Sequence, residues 1–227
     1  MKKTIISLLI IFCTQYSYAA WINLNTGIND NLTGVVFWGN NGLVSGHKGL
    51  YYTTNGGNGS ASWTRFNIIN NTADSILYNN IKFTCAYGEV FSTTSKAYVC
   101  GYDTVTNKAI IMDISISNLS YNIIYIGPAN SQLKNISFHN PSSSYFAVGN
   151  NGLIIKFNST SYSNILFPYN YDLLSISFTG NYLSVGSNGH VINGSINNLN
   201  VITCNDYVTP NNYYNLYKLH CYNSCLA

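Results

Sequence analysis

Acid–base chemistry in this 227-residue chain would have to come from seven carboxylates: Asp30, Asp74, Glu89, Asp103, Asp113, Asp172 and Asp206. Hydrolysing a glycosidic bond needs two of them set across the bond. None falls at the end of a repeated strand with a His or Tyr beside it. Gripping a substrate carboxylate takes clustered guanidinium groups, whose planar forks bind it bidentately; the chain has a single arginine, Arg65. His47, His139, His190 and His220 are scattered without metal-ligand spacing, and Cys221-x-x-x-Cys225 is half of a zinc site lacking its second half. His47 and His190 sit at turns, where a solvated ring is the simpler role. No Gly-rich loop follows a strand and opens a helix, so nucleotide motifs are absent. The residues imply no catalytic group, no metal ligand and no cofactor.

Thiol chemistry depends on compartment. Lys2 and Lys3, the apolar stretch Ile5 to Cys13 and the small-residue end Ser17-Tyr18-Ala19 match a secretory signal peptide over residues 1–19, cut before Ala20. A short N-terminal anchor is the alternative. Export to an oxidising compartment, periplasmic or extracellular, permits disulfides among Cys85, Cys100, Cys204, Cys221 and Cys225. Cys85 with Cys100 and Cys204 with Cys221 are candidate pairs by proximity, although spacing does not fix connectivity. Several of the five would serve equally as small buried hydrophobes. Without residues 1–19, eight Lys or Arg face seven Asp or Glu. A mature charge near zero leaves no basic footprint for nucleic acid.

Only 7% of residues are charged, against roughly 25% in an ordinary soluble domain. No apolar run after residue 20 approaches the ~20 residues that span a bilayer. Polarity comes instead from Asn, Tyr, Ser, Thr and Gly, with 35 Asn and 20 Tyr. Tyr, Ile, Val, Phe and Thr suit half-buried pleated surfaces, and Asn and Gly suit tight turns. The composition predicts many short strands.

Those strands repeat. LTGVVFWGNNGLVSGHKGLYYTT from Leu32, LKNISFHNPSSSYFAVGNNGLIIKFN from Leu133 and LLSISFTGNYLSVGSNGHVINGS from Leu173 share one pattern. A strand ends in Phe37, Phe138 or Phe178; a second ends in Gly46, Gly149 or Gly186; Gly49, Gly152 or Gly189 then opens a third. Two residues between the glycines predict a two-residue hairpin loop with left-handed backbone. A weaker copy, Lys96 to Ile114, has a longer loop at Tyr102 to Asn107, and its first strand is expected within Phe83 to Phe91. With Phe91 as its anchor, the copies recur at 54, 47 and 40 residues. Fourth strands are expected at Trp63 to Asn67, Tyr121 to Ile126, Asn164 to Phe167 and Leu199 to Cys204. Residues 20–227 therefore read as an all-β propeller of four-stranded antiparallel blades. A β-sandwich is the competitor, but it would not require the hairpin signature to recur. Asn215 to Ala227 aligns with Tyr171 to Ser184 and begins a fifth copy, so the expectation is four blades and a stub, a truncated ring whose open edges invite self-association.

Gly42 to Trp63, GLVSGHKGLYYTTNGGNGSASW, resembles the blade motif of photosystem II assembly/stability factor-like propellers and the related Asp-box (bacterial neuraminidase) repeats. Thr53, Asn55, Gly56, Gly57 and Trp63 match the Thr-x-Asp/Asn-Gly-Gly…Trp element, with Asn58 to Ala61 inserted before Trp63. The other copies keep the hairpin and lose that element. The resemblance implies a structural turn in which Thr53 and Asn55 bond local backbone and Trp63 packs between strands. It also implies that Trp21-Ile22-Asn23-Leu24 completes a last blade. Sialidase-like relatives hold substrate with an arginine triad, which one Arg does not supply. The sequence thus points to an exported, non-catalytic propeller that binds a protein or assists assembly. The alternative is an extracellular carbohydrate-active enzyme or lectin of the sialidase-like type. The expected contact surface is made by Asn67 to Asn80, Tyr102 to Asn107 and His47-Lys48, because loops on a rigid scaffold carry recognition.

Overall fold

The computed structural model describes residues 26–57, 62–68, 78–88, 95–179, 182–187, 190–196 and 202–208. The expected signal peptide, Trp21 to Leu24, Asp74, Glu89, Phe91, Gly189, His220, Cys221, Cys225 and the expected fifth-copy segment lie outside them.

The described chain is all-β, built as four successive meanders. The first blade holds β1 (Leu32–Trp38), β2 (Asn41–Gly46), β3 (Leu50–Thr53) and β4 (Thr64–Arg65). The second holds β5 (Ile81–Gly88), β6 (Lys96–Asp103), β7 (Ala109–Ser115) and β8 (Ser120–Ile126). The third holds β9 (Leu133–His139), β10 (Ser144–Gly149), β11 (Ile154–Phe157) and β12 (Tyr162–Asn164). The fourth holds β13 (Ser175–Thr179), β14 (Tyr182–Ser187), β15 (His190–Ile196) and β16 (Ile202–Val208). Each is a separate four-stranded sheet in sequence order. The sheets meet through their first strands, β1 on β5, β5 on β9 and β9 on β13. Four sheets joined in this way make propeller blades, not the two layers of a sandwich.

Three cores lie between successive blades. Leu43 and Leu50 meet Ile81, Phe83 and Val99 between the first two. Tyr98 and Cys100 meet Leu133, Ile136 and Tyr145 between the second and third, and Phe146 and Val148 meet Leu173 and Ile176 between the third and fourth. A middle blade is covered on both faces, which is why β7 is buried along its whole length. Asp113 on β7 is held by Lys96 at 3.3 Å.

Strand pairing corrects several boundaries. β5 ends at Gly88, which pairs with Ala97 as Phe37 pairs with Gly42. Gly88, not Phe91, therefore holds the anchor place of the second blade. β12 precedes the expected Asn164 to Phe167, and β16 runs past the expected Cys204 to Val208. β12 has only three residues, none of them buried, and leaves little alternation to read.

The glycine signature has a different cause from the one expected. Gly46 N–H donates to the Gly49 carbonyl at 2.9 Å across His47-Lys48, yet neither turn residue has positive φ. The turn is held from outside: His47 N–H reaches the Asn31 carbonyl at 3.1 Å and Lys48 N–H reaches Asp30 Oδ2 at 2.8 Å. At the third blade the loop has three residues, Gly149 N–H bonding the Leu153 carbonyl at 2.9 Å, with Asn151 (φ 54°) and Gly152 (φ 71°) left-handed. In the fourth, Ser187 pairs with His190. What recurs is space. A Cβ on Gly101 would collide with the Lys82 carbonyl, and one on Gly149 with the Gln132 carbonyl. One on Gly46 would collide with the Asp30 carboxylate. The second strand ends in Gly because the chain entering the first strand crosses it at close range.

Gly149→Ala is accordingly expected to destabilise the fold by about 1–3 kcal/mol, the usual penalty for overpacking a site whose neighbours are backbone. Gly39→Ala is the control, since no atom lies within 4 Å of its Cβ position, though its φ of +60° adds local strain. Chemical denaturation of both variants checks this, with the larger loss at Gly149.

Candidate functional site

The innermost strands share a repeated irregularity. Leu32, Phe83 and Leu133 pair with Gly46, Gly101 and Gly149, while Gly34, Cys85 and Asn135 pair one residue back along the partner strand. The residue between is left unpaired in each case: Thr33, Thr84 and Lys134. Such a β-bulge re-aims its side chain and sharpens the local twist. Thr33 Oγ1 donates to the Phe83 carbonyl of the next blade at 3.1 Å. Thr84 Oγ1 donates to the Leu133 carbonyl of the next blade at 2.8 Å. The third slot holds Lys134, and here Asn135 Oδ1 makes the link, accepting Ile176 N–H at 3.4 Å.

These bulges line a cleft of about 620 Å³ that runs across all four blades. Leu32, Val35, Phe37 and Trp63 form its apolar side, and Lys134 and Asn135 its polar side. Phe37 and Trp63 stand edge to face with centroids 5.8 Å apart. Lys134 Nζ bonds Gln132 Oε1 at 2.8 Å and lies 5.3 Å from the centre of the Tyr102 ring. Burial lowers its pKa, and the Asp172 charge opposes that shift. Among the described residues no carboxylate lines the cleft. Its described lining offers apolar area, the Thr26, Thr33 and Thr84 side chains, the Cys85 thiol, one amine and one carboxamide.

The described carboxylate side chains have other partners. Asp30 accepts Lys48 N–H and, at 3.2 Å, the Tyr51 hydroxyl. Asp103 caps its own loop, accepting Val105 N–H at 2.9 Å and the Thr106 hydroxyl at 2.8 Å. Asp172 accepts Asn151 N–H at 3.1 Å, tying the fourth blade to the turn of the third. Arg65 Nη2 donates to the Lys48 carbonyl at 2.8 Å. Among the described residues, no three of His, Cys, Asp and Glu are grouped to hold a metal.

The Thr53 to Trp63 element is a turn. Thr53 Oγ1 bonds Asn55 Oδ1 at 2.7 Å and accepts Gly57 N–H at 3.2 Å. Gly56 and Gly57 have φ of 77° and 76°, and the Trp63 indole lies where a Gly57 side chain would stand. Cys85 and Cys100 face each other across β5–β6, both buried and in the thiol form. Burial, with the neighbouring Cys85 adding to it, pushes the Cys100 thiol well above its ordinary pKa. Of the expected recognition loops, Tyr102 to Asn107 is closed on itself by Asp103 and leans on Asn80, whose carbonyl accepts Thr104 N–H at 2.9 Å; most of Asn67 to Asn80 lies outside the described residues. Sequence reading missed the cleft. Its only trace is the residue after Leu32, Phe83 and Leu133, which is Thr, Thr and Lys.

No family model matches the chain, and no curated protein matches it. Solved structures do. An ancestral GH74 enzyme is 20% identical over 78% of this chain and 24% of its own, with a TM-score of 0.52. The extracellular domain of a one component system from B. thetaiotaomicron is 14% identical over 83% of this chain and 24% of its own, with a TM-score of 0.55. The chain spans about a quarter of the length of each neighbour. At these identities the likeness is one of fold, and that fold is propeller-like.

Thr84→Val keeps the shape of the bulge and removes its hydroxyl. The expected loss is about 0.5–1.5 kcal/mol of stability, the net worth of one hydrogen bond, measured by urea denaturation. Thr104→Val removes a hydroxyl bonded to Asn80 at an exposed turn and is expected to cost less.

Proposed function

We propose that this chain is an exported, non-catalytic propeller segment that binds another protein along the cleft of its innermost strands. The observation that carries the reading is the composition of that cleft among the described residues, apolar on one side and Lys134 with Asn135 on the other. A surface of aromatic and aliphatic anchors rimmed by a few polar groups suits protein recognition. Residues 1–19 supply the export signal and residues 20–227 the repeats. The Thr53 to Trp63 turn supports kinship with photosystem II assembly factor-like and Asp-box repeats, in which it is a structural element. Among the described residues no helix is long and apolar enough to cross a membrane.

A second reading is favoured by one observation, the fold shared with a GH74 enzyme. In that reading the Phe37–Trp63 pair would stack on sugar rings, as a lectin does. Purified protein incubated with sialosides and aryl glycosides separates hydrolysis from binding: no turnover above background is expected, and turnover abolished by Asp103→Asn would overturn the non-catalytic reading. A photo-crosslinking residue at Val35 should capture an envelope protein, and one at Leu166, on the outer side of the third blade, should not. Saturable glycan binding lost in Trp63→Ala would favour the lectin instead.

Export also bears on the thiols. In an oxidising compartment, Cys85 and Cys100 would close into a disulfide across β5–β6. Non-reducing peptide maps should show them joined in secreted protein and separate in protein made in the cytosol. Separate thiols in both preparations would contradict the bridge.

A further inference from the structure

Seven Asn-x-Ser/Thr triplets occur in the chain, at Asn31, Asn58, Asn70, Asn118, Asn135, Asn158 and Asn193. In an exported protein such a triplet can accept an N-linked glycan where it lies on a surface loop. Asn58 and Asn70 lie outside the described residues, and Asn193 is within β15. The structure divides the other four into two kinds. Asn31 is exposed, but its triplet runs into β1, and the Thr33 hydroxyl is committed to Ser45 and to the Phe83 carbonyl. Asn135 lines the cleft, with Nδ2 toward Cys85 Sγ at 3.8 Å and Oδ1 taken by Ile176 N–H. Neither triplet is on a loop.

Asn118 and Asn158 are. Each stands in the turn that joins the third strand of its blade to the fourth, β7 to β8 and β11 to β12. Both are exposed, as are Ser120 and Thr160. Ser120 Oγ donates to Asn118 Oδ1 at 2.7 Å. Thr160 Oγ1 donates to Asn158 Oδ1 at 3.1 Å, and Thr160 N–H adds a bond at 2.9 Å. The hydroxyl of the triplet thus meets the carbonyl of its own Asn in two successive blades. That bond holds Oδ1 inside the turn, leaves Nδ2 at its outer end, and makes the amide N–H a better proton donor. An apolar side chain stands beside each for the first sugar to cover, Leu119 at 51% exposure and Tyr162 at 52%.

From this geometry we infer that Asn118 and Asn158 are acceptor sites for N-linked glycan, and that Asn135 is not one. The inference rests on the export proposed above, because the donor, an oligosaccharide on a polyprenyl diphosphate, is used beyond the exporting membrane. The bond from Nδ2 to the anomeric carbon forms and the bond from that carbon to the diphosphate oxygen breaks. The amide proton passes to a base of the transferring enzyme, and the polyprenyl diphosphate leaves.

Glycopeptide mapping of the full chain from its source organism tests this. Peptide-N-glycosidase in heavy-oxygen water turns a glycosylated Asn into labelled Asp. Label is expected at 118 and 158 and not at 135; unlabelled 118 and 158, or label at 135, would overturn the proposal. Ser120→Ala and Thr160→Ala should each lower occupancy of their own site by about tenfold or more, with an unchanged far-ultraviolet circular dichroism spectrum. Occupancy indifferent to both would also overturn it. Passage through a glycosylating secretory pathway separates the sites from export. Empty sites behind an unrelated signal peptide contradict the sites. Sites filled there but empty behind residues 1–19 contradict export and uphold the sites.

Discussion

Everything in this molecule hangs on how one blade's innermost strand meets the next. A four-stranded sheet of this size cannot bury its own apolar residues; it has two faces and no interior. Stability comes only when sheets stack, and the stack is registered by a hydrogen bond from a bulged residue to a carbonyl of the following blade. Thr33 reaches Phe83 and Thr84 reaches Leu133, each acceptor being the residue whose side chain enters the core between the two sheets. A net gain of about 1 kcal/mol per bond is small beside the apolar area buried. Its value is directional, since hydrophobic contact alone fixes no register.

Gly46, Gly101 and Gly149, at or near the ends of their second strands, belong to the same device. The bulge brings the chain entering the first strand close to the end of the second, and only a residue without a side chain fits beneath it. Bulge, crossing carbonyl and glycine thus form a unit. Where the bulged residue is Lys134 the unit changes: its amine turns to Gln132, Asn135 makes the link, and the cleft gains an amine. The variation that relaxes the inter-blade contact is also the one that gives the cleft its chemistry.

Much of the architecture was legible because period-2 alternation and Gly-punctuated hairpins are local features. They placed the first three strands of the first, third and fourth blades. The second-blade anchor was misplaced because the anchor there is Gly88, which carries no side chain to recognise. The turn geometry was misjudged because Gly46 answers a steric demand from Asp30, a residue remote in sequence. The cleft was invisible for a deeper reason: it is lined by residues of several separate repeats, and one polar residue after a Leu or Phe says nothing until the strands are set side by side. The small number of carboxylates, by contrast, is plain in the composition, and the structure gives the partners of Asp30, Asp103, Asp113 and Asp172.

The central claim is that bulge hydroxyl and glycine hollow act as one unit in holding blades together. A double-mutant cycle between Thr84 and Gly149, which meet through Leu133, tests it most directly. If they act together, the stability losses of Thr84→Val and Gly149→Ala will be non-additive by about 0.5 kcal/mol or more. Losses that add to within about 0.3 kcal/mol would mean that the two are independent, and the account of blade registration would fail.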